Sequence, residues 1–371
     1  MLKAIGIIST NYRLNAIERL SENRPLSSVP FGCRYRLIDF ALSNMVNAGI
    51  RSVGVLLPYR MRPLLDHLAA GKAWNLDRHS GGLFMLPSVT PALKPRVQMF
   101  CVRDILANIE FLTVEEADVV IITASNYVVN MNYAKILKKH EKKGADITLV
   151  YKNGLKFNSK VESKLKLDKS GKVSGIRRTE DQDTSDMEST FADVFVFNRQ
   201  LLIDMISSSR DTEFKDLLDL VESTLQDKVV LGHEYKDYIK QIFTLQDYYE
   251  TSMELMTPEI KCDLFDWEEK IITKIKDSPP TKYKEHAVIK NSYVAGGCIL
   301  DGKVTNSLLF RKVTVGKNSH LKGCIVMHNC DIGENSILEN VILDKGIKIP
   351  ANTVLKAQAD SPMYLPKGVV V

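Results

Sequence analysis

The chain has 371 residues, 50 lysines and arginines against 45 aspartates and glutamates, and a formal net charge of +5. That length exceeds the roughly 250–300 residues at which a single core stops growing, so two domains are expected. A charge this mild and dispersed suits anionic metabolites and argues against nucleic acid, which requires a concentrated basic stripe.

The opening MLKAIGIIST holds too short an apolar run for a signal-peptide core, and no later run reaches the roughly 20 apolar residues of a membrane span. A cytoplasmic protein with no membrane partner is therefore expected. Cys33, Cys101, Cys262, Cys298, Cys324 and Cys330 include no CxxC pair, which points to reduced thiols and away from a disulfide framework or zinc site. Cys324, His328 and Cys330 cluster without a fourth ligand at finger-like spacing.

In chain order, residues 3–8 read as a buried strand. Residues 24–50, RPLSSVPFGCRYRLIDFALSNMVNAGI, form a basic, turn-rich loop running into a helix that should begin near Tyr35 and stop at Gly49. Leu37, Ile38, Leu42, Met45 and Val46 recur at helical spacing on one face; Asp39, Ser43, Asn44 and Asn47 lie towards the other. Arg24, Arg34 and Arg36 stand ahead of or at the start of this helix, where free amides and the dipole favour an anion. A phosphate site and a set of ordinary solvated arginines both fit that local pattern.

Residues 52–57 (SVGVLL) predict a strand covered on both faces. A short helix over 63–70, a long loop over 71–95 with Trp74, Gly81 and Gly82, a weak strand over 96–102, a helix over 104–112, a central strand over 118–124 and a helix over 133–143 follow. This alternation predicts a mostly parallel sheet with helices on both faces. Ligands of such sheets lie beyond the carboxyl ends of the strands, here near residues 9–28 and 125–132. Strands over 147–151, 164–167, 173–177 and 191–197 should extend the sheet, with a polar loop over 181–189, two helices within 201–225 and another over 245–256.

Residues 257–284, with helix-like DWEEKIITKIK and then Ser278-Pro279-Pro280, read as a connector. Beyond it the apolar period becomes six: Val288, Val294 and Leu300, then Leu309, Val315, Leu321 and Met327, and later Leu343, Ile349 and Leu355. That period predicts a parallel β-helix of hexapeptide repeats with a structural, oligomerising role. The domains are thus an α/β unit over 1–256, a connector over 257–284 and a β-helix over 285–371.

RPLSSVPFGCRYRLIDFALSN followed by NAGIRSVGVLLPYR resembles the segment after the nucleotide loop in bacterial glucose-1-phosphate adenylyltransferases (ADP-glucose pyrophosphorylases), most closely the GlgD-type subunit regarded as non-catalytic or regulatory. The likeness includes the C-terminal repeats and implies a Rossmann-like nucleotidyltransferase domain followed by a left-handed parallel β-helix. Joining ATP to a sugar phosphate needs amides that cradle the triphosphate, carboxylates for Mg²⁺ and cations for the transition state.

Each requirement is compromised at the matching positions. The glycine-rich loop is replaced by residues 9–16, STNYRLNA; a gap-free count from Val29 puts Ala16 at the catalytic arginine, and a shifted one would enlist Arg13. Leu26 falls at a lysine position, Asn126 at the metal aspartate of a GD dipeptide, and Gln241 at the second metal aspartate. Phe100-Cys101-Val102 matches the base-contacting GTA motif, and residues near Arg177-Arg178-Thr179-Glu180 supply no clear EKP motif. Asp118, Asp193, Asp237 and Asp247 remain, each expected as a cap or surface residue.

The resemblance thus implies no catalytic residues and no cofactor on this chain, with Mg²⁺ in a catalytic glucose-1-phosphate adenylyltransferase partner, a heterotetramer, and a phosphorylated-sugar effector at Arg24, Arg34 and Arg36. Arg36 matches the activator region best; Asn23 replaces an expected lysine. A diverged active pyrophosphorylase, a β-helix acyltransferase and a stand-alone sugar-phosphate sensor are the competing readings.

Overall fold

The computed structural model describes residues 2–10, 18–57, 60–89, 100–114, 116–155, 162–179, 184, 187–209, 216–265 and 268–369. Its first domain is built on the apolar runs AIGIIS, SVGVLL and VVIITA, which form the strands Ala4–Ser9, Ser52–Leu57 and Val119–Ala124. All three are parallel, with Ala4–Ser9 in the middle. Ser189–Asn198 adds antiparallel to Val119–Ala124, and Ile147–Asn153 adds antiparallel beyond it. Gly6 lets the helix Leu37–Asn47 lie close on the central strand, because a β-carbon there would come within 2.6 Å of Met45 Sδ.

Four local expectations are corrected. Residues 82–87, expected as loop, form the strand Gly82–Pro87, parallel to Ser52–Leu57; a partner edge fixes an extended chain whose own pattern is weak. The helix expected near Tyr35 begins at Leu37, because Tyr35–Arg36 pairs with Pro30–Phe31 as a two-stranded ribbon. The helix over 104–112 is two short ones, Val102–Leu106 and Ile109–Val114. The weak strand expected over 96–102 falls mainly outside the described residues, but Val102 already belongs to the first of these helices.

The connector supplies the fourth correction. It opens with the helix Pro258–Phe265, but the helix-like stretch after it forms no helix or strand over residues 268–281. Tertiary partners occupy the backbone groups a helix would use: Ser43 Oγ accepts from the Ile272 amide, Asn47 donates to Lys270 O and Trp74 Nε1 donates to Ile272 O. The strap covers Ser43 and Asn47, while His67 pairs with Asp39 and the Val129 and Met131 backbone takes Asn44, so Asp39, Ser43 and Asn44 are buried.

The second domain is three five-stranded parallel sheets running from Lys282–Tyr283 to Met363–Leu365, the left-handed parallel β-helix of hexapeptide repeats. Leu300, Val315, Ile332 and Ile349 stack along one inner wall and Val304, Leu321 and Leu338 along another. Asn291, Asn306, Asn340 and Asn352 turn the corners at positive φ, a conformation asparagine tolerates through local hydrogen bonding.

The loop that organises the sequence is the wedge between the domains. Leu26, Val29, Phe31, Leu37 and Phe40 share one apolar cluster with Tyr248 and Leu255 and with Phe310, Ile325, Met327 and Ile342 of the coil. Tyr248 donates to Pro30 O at 2.8 Å. Gly323 admits the docking helix Leu245–Glu254: at φ 63° it leaves the space where Tyr249 Oη, 2.9 Å from Gly323 O, reaches the coil.

Candidate functional site

Two places collect the residues singled out from the sequence. The first is the carboxyl end of the central strands. Ala16 lies outside the described residues. Leu26 sits in a 3-10 turn, Leu26–Ser28, and is 3% exposed, so the position that would carry a cation is instead part of the interdomain core.

Asn126 and Gln241 come together because Tyr127–Val129 pairs antiparallel with Ile239–Gln241, Gln241 opposite Tyr127. Asn126 accepts the Ile242 amide at 2.8 Å on its backbone carbonyl and donates its side-chain amide to Ile242 O at 3.2 Å. Gln241 donates its side-chain amide to Asp193 Oδ2 at 3.2 Å, and the Tyr127 hydroxyl donates to the same oxygen at 2.8 Å.

Asp193 departs from the expectation of a cap or surface acid. It lies in the register shift between Phe191 and Phe195 with φ 54°, in the left-handed region. Desolvation pushes its carboxyl up to about 7, against the pull of the Tyr127 hydrogen bond. Nothing in its local sequence signals this; the bulge that aims it exists only once three strands have met. Asp118 and Asp237 are exposed, and Asp247 caps Leu245–Glu254 by accepting the Thr244 amide.

These residues do not fit Mg²⁺. Two amides and a carboxyl that desolvation holds towards its neutral form replace the carboxylates a hard divalent ion needs. Among the described residues no group of three or more His, Cys, Asp or Glu side chains is placed to hold a metal ion. Cys324 and Cys330 instead donate their thiols to the carbonyls of Leu338 and Asp344.

Around Phe100, matched in the sequence to a base-contacting motif, aromatic rings pack together. Phe100, 2% exposed, meets Phe195 edge-on at 5.0 Å, and Phe195 meets Phe191 at 4.8 Å. The Phe100 amide donates to Asp216 Oδ2 at 3.2 Å and the Leu218 amide to Asp216 Oδ1 at 2.9 Å. Burial outweighs those bonds and raises the Asp216 carboxyl to about 6. A raised folded-state value means that this group's contribution to stability is complete below its ordinary value near 3.8 and is lost as pH rises through about 6. Asp216→Asn should therefore remove a loss on the order of 2–3 kcal/mol between pH 4 and 7, read as a flatter pH profile of urea midpoints.

The second place lies between the domains. Arg36 donates from Nη1 to Pro63 O at 2.6 Å, and its amide donates to Asp39 Oδ2 at 2.9 Å. Arg34 is exposed, with its guanidinium 5.9 Å from the centre of the Tyr35 ring. Arg311 of the coil donates to Arg34 O at 3.3 Å.

Three further groups face this cluster that no local pattern revealed. Burial, Arg24 and Arg36 push the Lys345 ammonium down to about 8, with Asp344 opposing. Burial pushes His328 down to about 3, reinforced by Lys345, Arg311, Lys276 and Arg36, so the ring is neutral. Its Nδ1 is buried with no hydrogen-bond partner among the described residues. Lys276 arrives on the strap, its own value lowered by burial, Arg36 and Arg311. Mutual repulsion of this kind, drawn from three separate segments, leaves a positively charged face between the domains.

Arg24 serves differently. It is 8% exposed, pairs with Asp344 at 2.5 Å and donates from Nε to Leu20 O at 3.0 Å, while Tyr364 also donates to Asp344 at 3.0 Å. Burial works to raise the Asp344 carboxyl, yet the charge and hydrogen bond of Arg24 leave it below its ordinary value.

A mostly parallel α/β sheet clamped to a hexapeptide β-helix is the architecture of a nucleotidyl transferase with a C-terminal hexapeptide domain. A nucleotidyl transferase family model matches residues 17–257, and a GlmU-like C-terminal hexapeptide model matches residues 279–371. The glycogen biosynthesis protein GlgD of Bacillus subtilis is 35% identical over 367 residues, covering 99% of this chain and 96% of that protein. GlgD of Geobacillus stearothermophilus is 30% identical, covering 85% of this chain and 82% of its own length, and the glucose-1-phosphate adenylyltransferase of Bacillus anthracis is 27% identical, covering 96% and 95%. The chain belongs to the nucleotidyl transferase family, in the glycogen-biosynthesis group that contains GlgD and is related to glucose-1-phosphate adenylyltransferase. No helix among the described residues is long and apolar enough to cross a membrane.

Proposed function

We propose that this chain is the non-catalytic, regulatory subunit of a cytoplasmic glucose-1-phosphate adenylyltransferase, assembling as a heterotetramer with a catalytic subunit that holds the Mg²⁺. The observation that carries this reading is that the two expected metal-acid positions hold the buried amides Asn126 and Gln241, while the expected cation position, Leu26, is buried in the interdomain core and Phe100 in the core of the sheet. The basic cluster between the domains supplies the regulation. A phosphorylated sugar bound among Arg34, Arg36, Arg311 and Lys345 relieves their mutual repulsion and ties the wedge loop to the coil. The partner responds to the extent that its active conformation is favoured by that closed arrangement.

Copurification with the catalytic subunit, followed by effector titration of the assembled enzyme, tests the reading. Arg36→Ala is expected to weaken the activating phosphate at least tenfold while leaving assembly intact. An unchanged effector response rejects the assignment of the cluster, and failure to copurify rejects the subunit role.

A further inference from the structure

The positively charged face between the domains is anchored on one short helix, Arg62–Leu68. Arg36 donates to Pro63 O in its first turn, and Lys274 of the strap donates from Nζ to Asp66 O at 3.1 Å. Between those anchors stands His67, 5% exposed, with Nε2 2.5 Å from Asp39 Oδ1. The second oxygen of that carboxylate, Asp39 Oδ2, accepts the Arg36 amide at 2.9 Å. The imidazole also meets Trp74 edge-on at 5.6 Å, and Trp74 Nε1 donates at 3.2 Å to Ile272 O of the strap, a few residues before Lys276. His67 therefore braces two cations of that face, Arg36 through Asp39 and Lys276 through Trp74 and the strap. It acts as a positioning residue.

Its charge state is bound up with the same two cations. Burial, Arg36 and Lys276 push the ring below its ordinary value, and the hydrogen bond and charge of Asp39 oppose them. At neutral pH the ring is uncharged and donates Nε2–H to Asp39, which can only accept. The charged groups acting on it come from three elements: Asp39 from the helix Leu37–Asn47, Arg36 from the ribbon before it and Lys276 from the strap. Arg62 and Asp66 on its own helix, and Lys72 on the turn that carries Trp74, are exposed. Repulsion is reciprocal: a proton on His67 adds charge beside Arg36 and Lys276, and an anion held by those two offsets what keeps the proton off.

We propose that proton uptake by His67 is linked to the binding of a dianion of the phosphate-monoester class at Arg36 and Lys276, a linkage that rests on the anion-binding reading of that face. A bound dianion raises the folded value of His67, so the occupied chain takes up the proton at a higher pH than the empty one. Affinity must then rise as pH falls through that interval, since the coupling is the same in both directions. Lys345, at about 8, and His328, at about 3, change charge outside the interval between pH 5 and 7.

The test is calorimetric titration of the full chain with sulfate, a dianion throughout, at pH 5, 6 and 7 and constant ionic strength. Binding about tenfold tighter at pH 5 than at pH 7 is expected. His67→Gln keeps an amide donor for Asp39 and takes up no proton; it should bind like the native chain at pH 7 and lose most of the pH dependence, which also subtracts every other titrating group. His67→Leu, with no donor, should bind more weakly at every pH. In a Trp267→Phe background the fluorescence of Trp74, quenched by a charged imidazole in contact, should titrate with a midpoint that saturating sulfate raises by about one pH unit; this readout decides the matter if His67→Leu does not fold. Equal pH dependence in the native chain and His67→Gln, or a Trp74 midpoint that sulfate leaves unmoved, overturns the linkage and leaves the anion-binding reading standing. Absence of sulfate binding at all three pH values rejects that reading and the linkage with it.

Discussion

Incubated alone with ATP, glucose 1-phosphate and Mg²⁺, the purified chain is expected to form ADP-glucose many orders of magnitude more slowly than a catalytic subunit under the same conditions. Parts of one transition-state machine act together, so losing several removes most of the acceleration at once instead of subtracting small independent steps. On the proposed assignment the metal-acid positions hold the buried amides Asn126 and Gln241 and a cation position holds the core residue Leu26, and Phe100 is packed on Phe195. Asn126→Asp with Gln241→Asp should recover divalent binding without recovering turnover, because Leu26 and Phe100 remain. Diphosphate release measured with the chain alone, the catalytic subunit alone and the mixture separates these cases. Turnover by the chain alone approaching that of the catalytic subunit would sink the non-catalytic reading.

Arg24→Met is expected to cost about 3–5 kcal/mol of stability, the largest effect of any single change considered for the fold. A buried ion pair contributes little beyond a well-packed apolar pair, but breaking one strands the remaining charge. Asp344, 6% exposed, would be stranded with only Tyr364 and the Lys345 amide to satisfy it. The double variant Arg24→Met with Asp344→Leu should recover most of the loss, since neither charge is then buried.

The pair also sets a pH dependence with a fixed sign. Because the Asp344 carboxyl is lowered in the folded state, its stabilisation is present above its ordinary value near 3.8 and is lost as pH falls through the lower folded value. Urea denaturation of the three proteins at neutral pH, followed by tryptophan fluorescence and far-ultraviolet dichroism, gives the comparison. A single-variant cost under about 0.5 kcal/mol would show that the pair is idle.

The two predictions draw on different kinds of information. Amides at the positions that the resemblance expects to be acidic could be read directly, because chemical identity at a position does not depend on what surrounds it. The apolar runs AIGIIS, SVGVLL and VVIITA likewise announced strands buried on both faces, and a six-residue apolar period announced the coil, since each pattern reports burial that local geometry repeats. The polar side of Leu37–Asn47 was legible only as the face opposite the apolar stripe. That it is buried depends on distant partners such as Ile272 of the strap, 229 positions from Ser43, and Val129, 85 from Asn44.

The sequence alone therefore determined the two-domain architecture, the family resemblance and, on that resemblance, the amides that the proposal sets in place of metal acids. Tertiary structure decided what replaced them and which arginines share a site. Arg24 reaches across 320 positions to Asp344 and becomes a clamp, while Arg34 and Arg36 meet Arg311, Lys345 and Lys276 from the coil and the strap. Asp193 acquires its shifted carboxyl from a bulge and a tyrosine 66 residues away. The reason is one of range: periodicity and motif chemistry are properties of neighbours in sequence, whereas desolvation and charge repulsion are set by whichever segments folding brings within a few ångströms.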